Sequence, residues 1–243
     1  VYGRAAFDAV QSATVAAEVP YKMKVLMQTL SENFKLRPAG GGGARVIVSG
    51  AGPVGLRAAV EAALMGQRVH VLEKRDVFSR VNILTLWQPT ADDLMAYGAH
   101  EFYPKFSNRQ LSTAPLHLGT REMQLVLLKN ALLLGVTFLY GTELVAVQAP
   151  SGGAGGCWRA WARRSASTAT HQTQDGALDF KPVKLAEYTA GSGKCNMVQV
   201  SALDLSFALP SSAVRPAGVD ALEMDALLLA EGEWSNTCKR LGV

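Results

Sequence analysis

The sequence predicts an α/β fold that begins with a Rossmann-like βαβ unit, and three features predict it. Arg45–Ser49 is a short β-branched run that is typical of a buried strand. The glycine-rich turn Gly50–Gly55 follows, and then Leu56–Met65, a helical run that ends at Gly66. Arg68–Leu72 has the pattern of a second buried strand. Strand, glycine turn, helix and strand in this order predict a parallel sheet.

The composition excludes several classes of protein. Of the 243 residues, 49% are hydrophobic and 18% are charged, which argues against a wholly disordered chain. The net charge is only +4, and no basic run is interleaved with aromatic residues, so we expect no nucleic-acid partner. The most apolar stretch, Met123–Val136, contains Lys129 and is too short to span a bilayer, so we expect no membrane partner.

The cysteines indicate neither a disulfide framework nor a metal site. Cys157, Cys195 and Cys238 are widely spaced, odd in number and without a CxxC pair. A reducing intracellular compartment is the expectation that follows. The chain begins at Val1 rather than Met and stops at Val243, so we also expect it to be a piece of a longer protein, truncated at its C-terminus.

Two segments are predicted. Residues 1–38 form an N-terminal helical segment, in which Pro20 separates two helices that pack against the main domain, and the run Gly40–Gly43 forms a joint. Residues 44–243 form the main domain, with an exposed low-complexity insertion at about 150–176. The remaining predicted elements are helices at Ala91–Tyr97 and Arg121–Leu134 and strands at Val136–Tyr140, Thr142–Gln148, Met197–Val200, Leu203–Leu209 and Asp225–Ala230.

The glycine turn has the features of a diphosphate-binding loop. Gly50 allows a tight turn, Gly52 lets the backbone approach a pyrophosphate, and Gly55 lets the helix pack against the sheet. The helix start near Pro53 directs its positive dipole end at the phosphates. A glycine-rich turn without a ligand is the alternative, and the flanking strand and helix weigh against it.

Glu73 follows Gly52 by 21 residues and ends the second strand. A carboxylate there accepts hydrogen bonds from the ribose hydroxyls of an adenosine and disfavours a 2′-phosphate. The site is therefore predicted to hold FAD or NAD rather than NADP. An NAD-dependent dehydrogenase stays open as an alternative.

The residues after Glu73 favour FAD over NAD. Arg75 and Arg80 are placed to neutralise a diphosphate or to stack on adenine, and Asn82 adds a polar group. For Lys74 a solvated position in a charged loop is the favoured interpretation.

Four runs together resemble the flavin monooxygenase domain of the MICAL family, and the resemblance extends from about Arg45 to Gln148. These runs are Gly50–Arg57, Glu73–Arg80, Asn82–Trp87 and Arg121–Val136. The resemblance implies a Rossmann-like FAD-binding domain of the GR2/hydroxylase type, with N-terminal helices and an added β region.

The resemblance also implies a set of FAD-lining positions. In this chain they are Val54, Glu73, Lys74, Arg75, Arg80 and Asn82. Val54 stands where the family often has Cys, and Arg121 matches a helix arginine that such hydroxylases direct toward the cofactor. Glu231-Gly232 looks like the Asp-Gly motif of these hydroxylases, with an acid that is one methylene longer.

The activity that the resemblance implies is a monooxygenation. NADPH reduces FAD, the reduced flavin activates O2, and a methionine of filamentous actin is oxidised to the sulfoxide. A cytoplasmic, cytoskeleton-associated location follows from the same resemblance. The residues do not identify a catalytic acid or base, and His70, inside a strand, is expected to be a satisfied core residue. A non-catalytic flavin-binding or scaffold module is the other alternative, because the family's ribityl-binding Gly-Asp motif would lie beyond Val243.

Overall fold

The computed structural model describes residues 2–37, 43–100, 102, 116–150, 157–165, 183–184, 208–209, 220–232 and 237. The helices are α1 (Gly3–Ala16), α2 (Tyr21–Lys35), α3 (Pro53–Leu64), α4 (Gln88–Ala96) and α5 (Thr120–Leu133). The strands are β1 (Arg45–Ser49), β2 (Arg68–Glu73), β3 (Val77–Phe78), β4 (Ile83–Leu86), β5 (Leu116–Gly119), β6 (Thr137–Tyr140), β7 (Thr142–Gln148), β8 (Trp158–Arg164), β9 (Val183–Lys184), β10 (Ala208–Leu209), β11 (Asp220–Met224) and β12 (Ala226–Leu229).

The predicted βαβ unit is confirmed and forms the centre of a parallel sheet. The strand order is β12-β1-β2-β6, and each pair of neighbours is parallel. Helix α3 begins at Pro53, as expected from a proline in the first helical turn. Parallel pairing brings the carboxyl ends of these strands to one edge of the sheet.

The two faces of this sheet are covered by different layers. Val46 and Val48 of β1 face a core shared with the helices, including Leu56 of α3 and Leu128 of α5. Ile47, which alternates with them, faces a second core against the sheet formed by β7, β8 and β11. The side-chain period of two along β1 therefore separates a helical layer from a second β layer.

The N-terminal helices share the helical core. Phe7 of α1 and Leu30 and Phe34 of α2 are buried in it, and the Phe7 and Phe34 rings lie 5.2 Å apart. The expected packing of this segment against the main domain is observed. Among the helices that the structure describes, none is both long and apolar enough to cross a membrane.

The low-complexity runs at 151–156 and 166–170, on which the expected insertion at about 150–176 rests, lie outside the described residues, and strand β8 lies between them. Strand β8 pairs antiparallel with β7 and β11, and Ala160 and Ala162 are buried. Trp161 is 2% exposed and donates a hydrogen bond from Nε1 to Gln148 Oε1 at 3.1 Å. Alanine and arginine in the run conceal the strand, because neither has a strong β propensity.

Two further expectations need correction. The run Asp225–Ala230, expected to be a strand of the buried type, forms β12, which instead alternates between exposed and half-buried positions at an edge of the described parallel sheet. His70 is not a satisfied core residue, since its buried Nδ1 has no partner in the part of the chain that the structure describes. Its neighbours in register are Ile47 and Thr137, and burial lowers the pKa of His70.

The stretch between Glu73 and α4, for which the sequence predicts no strand, contains the short strands β3 and β4. Residues Ile83–Leu86 form β4, which pairs antiparallel with β5. The expected strand at Met197–Val200 lies outside the described residues, and so does most of Leu203–Leu209, of which only β10 is described.

An ion-pair network joins α2, α3 and α4. Arg37 donates to both carboxylate oxygens of Glu61 at 2.7 Å, and Arg57 donates to the same carboxylate at 2.9 Å. Arg57 also makes two bonds to Asp93 and lies 4.8 Å from the centre of the Tyr97 ring. Hydrogen bonds from Arg37 and Arg57 outweigh the effect of burial and lower the pKa of Glu61 from 4.5 to about 2.

We predict that Glu61→Gln lowers the free energy of unfolding by about 1 kcal/mol at pH 7. Because the pKa of Glu61 is depressed in the folded state, the stabilisation is present above about pH 4.5 and is lost as the pH falls through about 2. Urea unfolding between pH 7 and pH 2 measures it. Asp8→Asn is the control. Both side chains of the Arg4–Asp8 ion pair are half exposed, so its loss should change the free energy of unfolding little. A difference between wild type and Glu61→Gln that does not shrink at low pH would contradict the prediction.

Candidate functional site

A cleft opens at the carboxyl edge of the parallel sheet, where β1, β2 and β12 end. This is the edge at which open α/β sheets bind ligands. Its volume is about 370 Å³, within the range of small-molecule sites. The lining residues are Ser49, Gly50, Gly52, Pro53, Val54, Leu72, Glu73, Lys74, Arg75, Val77, Phe78, Ser79, Arg80, Gln124, Thr142, Glu143, Leu144, Val145, Arg163, Ala230, Glu231, Gly232 and Thr237.

Two of the three motif glycines are required by contacts within the protein. Gly50 has φ +103°, and a Cβ on it would lie 2.5 Å from the carbonyl oxygen of Ala230. A Cβ on Gly55 would lie 2.0 Å from the carbonyl oxygen of Gly50, so only glycine lets α3 start this close to β1. Gly55 therefore lies behind the loop and supports it.

Gly52 is different, because nothing in the described protein requires a glycine there. Its φ of −65° and ψ of 171° suit any residue, and a Cβ would have only the Ala230 carbonyl oxygen within reach, at 4.0 Å. The missing side chain leaves open space in the cleft wall. That space suits the close approach of a ligand to the backbone.

The N-terminus of α3 faces the same cleft. Gly52 is its N-cap, Pro53 occupies the first turn, and the side chain of Val54 is 77% exposed. The first N–H groups of a helix have no intrahelical acceptors, and the helix dipole makes this end positive. An anionic group in the cleft would meet both.

Glu73 is buried at the end of β2, with 7% of its surface exposed. Its Oε2 accepts a hydrogen bond from the Ala51 N–H and its Oε1 accepts one from the Arg75 N–H, both at 2.9 Å. An ionised carboxylate has about four acceptor positions, so two remain for a ligand. The pair of backbone bonds fixes the carboxylate against the glycine loop.

The charged side chains of the cleft fall into two groups. Lys74, Arg75 and Arg80 are exposed in its wall. Further along the wall, Arg163 of β8 donates to Glu143 of β7 at 2.6 Å, and both are partly buried. The exposed group supplies positive charge that a diphosphate requires.

Glu231 and Gly232 lie in the cleft wall directly after β12. Glu231 Oε1 accepts hydrogen bonds from Ser49 Oγ and, at 2.9 Å, from Thr237 Oγ1. Ser49 and Thr237 were not predicted as site residues. No local pattern could reveal them, because Ser49 and Glu231 are 182 residues apart in the sequence.

Asn82 and Arg121 are not among the lining residues of the cleft. The Asn82 carbonyl oxygen accepts hydrogen bonds from the N–H and the Oγ1 of Thr120, at 2.8 and 2.9 Å, where α5 begins. Arg121 Nη2 lies 3.6 Å from Glu122 Oε1. The assignment of these two residues to a cofactor stays a prediction, as it does for the other predicted site residues.

Gln124 of α5 is a cleft residue that the sequence interpretation missed. It is 6% exposed, and its Nε2 donates to the Ala51 carbonyl oxygen at 2.8 Å. The signal was present, because Gln124 shares a helix face with the buried Leu127, Leu128 and Ala131. A polar side chain on a buried face needs a partner.

These residues fit the adenosine diphosphate part of a dinucleotide. Gly52 leaves room at the backbone, the α3 N-terminus and the exposed cations suit phosphates, and Glu73 suits ribose hydroxyls.

The comparisons with known proteins agree with this chemistry. The chain is 48% identical over 118 residues to the [F-actin]-monooxygenase MICAL1 of Bos taurus and 41% identical over 150 residues to mical1 of Danio rerio. It is 48% identical over 118 residues to Mical of Drosophila melanogaster. The matches cover 49%, 62% and 49% of this chain but only 11%, 11% and 2% of those proteins.

Comparison of structures finds the OxyS anhydrotetracycline hydroxylase of Streptomyces rimosus, with 17% identity and a TM-score of 0.47. It covers 82% of this chain and 34% of that one. No family model matches the chain. Across about half of its length this chain is therefore similar in sequence to MICAL-family [F-actin]-monooxygenases, which confirms the resemblance that its motifs indicate.

Proposed function

We propose that this chain binds FAD in the cleft and belongs to an NADPH-dependent flavin monooxygenase. The observation that carries the proposal is the buried Glu73 carboxylate, fixed by the Ala51 N–H beside the open backbone of Gly52. This arrangement supports binding of an adenosine diphosphate group. The similarity to MICAL monooxygenases supports FAD rather than NAD as the dinucleotide.

The proposed roles follow from position. Glu73 accepts hydrogen bonds from the adenosine ribose, and the Gly52 backbone with the α3 N-terminus holds the diphosphate. Arg75 and Arg80 balance the phosphate charge from the exposed wall. When bound, the flavin supplies electron transfer from NADPH and activation of O2, while the chain binds and orients it.

The proposed substrate is filamentous actin. The named activity of the relatives is that of [F-actin]-monooxygenases, and this chain spans about a tenth or less of their length. The proposal therefore assigns to the protein that carries this chain an activity named for relatives with which it shares one segment. A cytoplasmic location on the actin cytoskeleton is part of the same proposal.

The function is tested by assaying the full-length protein that carries this chain. We expect a yellow protein with flavin absorbance that oxidises NADPH in an FAD-dependent way, faster with filamentous actin. Bound FAD without NADPH oxidation would favour the non-catalytic flavin-binding module. Binding of NAD with no flavin absorbance would favour a dehydrogenase.

We predict that Gly52→Ala folds as the wild type does but weakens FAD binding about tenfold or more. Among the described residues, its chain neighbours apart, the new methyl group meets no atom closer than 4.0 Å, so we expect it to obstruct a ligand rather than the fold. Gly55→Ala is the matched contrast, because its methyl group would lie 2.0 Å from the Gly50 carbonyl oxygen and should lower the melting temperature. Flavin fluorescence titration and thermal unfolding measure the two effects. Unchanged FAD affinity in Gly52→Ala would contradict the assignment of the loop.

We predict that Glu73→Gln weakens FAD binding by about 1–3 kcal/mol. The amide keeps the size of the side chain but loses charge and one acceptor, so the ribose hydroxyls and two backbone N–H groups compete for fewer acceptors. Isothermal titration with FAD measures the loss. Glu143→Gln is the control for removal of a cleft carboxylate that pairs with Arg163. Equal affinities of wild type and Glu73→Gln would show that the motif is misinterpreted.

A further inference from the structure

Gln124 lines the cleft and carries a buried hydrogen-bond acceptor that has no partner among the described residues. The residue is 6% exposed and lines the cleft, and its Nε2 is bonded to the Ala51 carbonyl oxygen at 2.8 Å. Its Oε1 is buried and has no hydrogen-bond partner within the described part of the chain. A buried acceptor without a donor costs free energy. Gln124 is the cleft-lining residue among those with such an atom in the described part of the chain, so a ligand in the cleft is the candidate donor.

The bond from Nε2 has a consequence for the glycine loop. Across a trans peptide the C=O of one residue and the N–H of the next point in opposite directions. The amide of Gln124 holds the Ala51 carbonyl, so it also sets the direction of the Gly52 N–H. Glu73 holds the other side of Ala51 through its N–H. Two side chains from different elements thus fix one residue of the loop.

The chemistry of the missing partner follows from the acceptor. Diphosphate oxygens are ionised near neutral pH and carry no hydrogen, so they cannot donate to Gln124 Oε1. A sugar or polyol hydroxyl can. In the proposed function the adenosine ribose hydroxyls bind Glu73, which leaves the hydroxyls on the other side of the diphosphate for a second acceptor.

We propose that Gln124 Oε1 accepts a hydrogen bond from a hydroxyl of the ligand's polyol chain, beyond the diphosphate from the adenosine. Gln124 is then both a positioning residue for the glycine loop and a direct contact that separates FAD from ADP. This inference rests on the proposed function, because it takes the cleft as the FAD site.

Asn130 offers a matched control on the same helix. It is also fully buried, its Nδ2 donates to the Tyr97 carbonyl oxygen at 2.8 Å, and its Oδ1 is buried without a partner among the described residues. Unlike Gln124, it does not line the cleft. A change at Asn130 therefore removes a buried amide and its hydrogen bond from the same helix without removing a contact in the cleft.

The test measures the dissociation constants of FAD and ADP for the full chain, with Gln124→Met and Asn130→Leu as near-isosteric variants. Gln124→Met is expected to weaken FAD about tenfold more than it weakens ADP. Asn130→Leu is expected to leave the ratio of the two constants within about twofold of wild type. Circular dichroism and the melting temperature report folding of each variant.

A second variant, Gln124→Glu, keeps an acceptor at the position but loses the donor to Ala51. It is expected to weaken FAD and ADP together, with a ratio close to that of wild type. An equal loss of FAD and ADP in Gln124→Met, or a changed ratio in Gln124→Glu, would overturn the inference while leaving FAD binding intact. A wild-type chain that binds ADP but no FAD would overturn the proposed function and the inference with it.

Discussion

The site depends on the contact between Gly55 and the carbonyl of Gly50. With a Cβ on Gly55 only 2.0 Å from that oxygen, any other residue would push α3 away from the end of β1. The contact instead lets the helix start directly beside the strand, so its positive end faces the cleft. Because Ala51 lies within this turn, the bonds that it makes to Glu73 and Gln124 depend on the same close packing.

Strand β12 completes the arrangement from a distant part of the sequence. It pairs parallel with β1, from Val46 opposite Ala226 to Ser49 opposite Leu229. The register brings Ala230 onto the glycine loop, where its backbone oxygen would meet a Cβ on Gly50 at 2.5 Å. Strand β1, which leads into the glycine loop, is therefore flanked by β2 on one side and by β12 on the other.

The βαβ unit could be predicted because its signals are local. The β-branched strand, the glycine spacing and the position of Glu73 all lie within 31 residues, from Arg45 to Arg75. The short strand β4 and the strand β8 could not be predicted in this way, since each is stabilised by pairing with a partner elsewhere in the chain. The prediction for His70 was wrong for the same reason, because the strand pattern predicts that its side chain is buried but not whether it has a hydrogen-bond partner. The buried position of Gln124, in contrast, could have been predicted from the sequence, because it is a polar residue on an apolar helix face.

The charges around the cleft explain why an acid at position 231 is compatible with an anionic ligand. Ser49 and Thr237 donate to Glu231, two backbone N–H groups donate to Glu73, and Arg163 pairs with Glu143. Each carboxylate thus has donors from the protein itself. The Glu231 side chain reaches the Ser49 hydroxyl on the neighbouring strand β1. Lys74, Arg75 and Arg80 form no ion pair within the ranges described and stay exposed in the wall. Their positive charge is therefore directed to whatever anion enters, which favours a diphosphate at the end of α3.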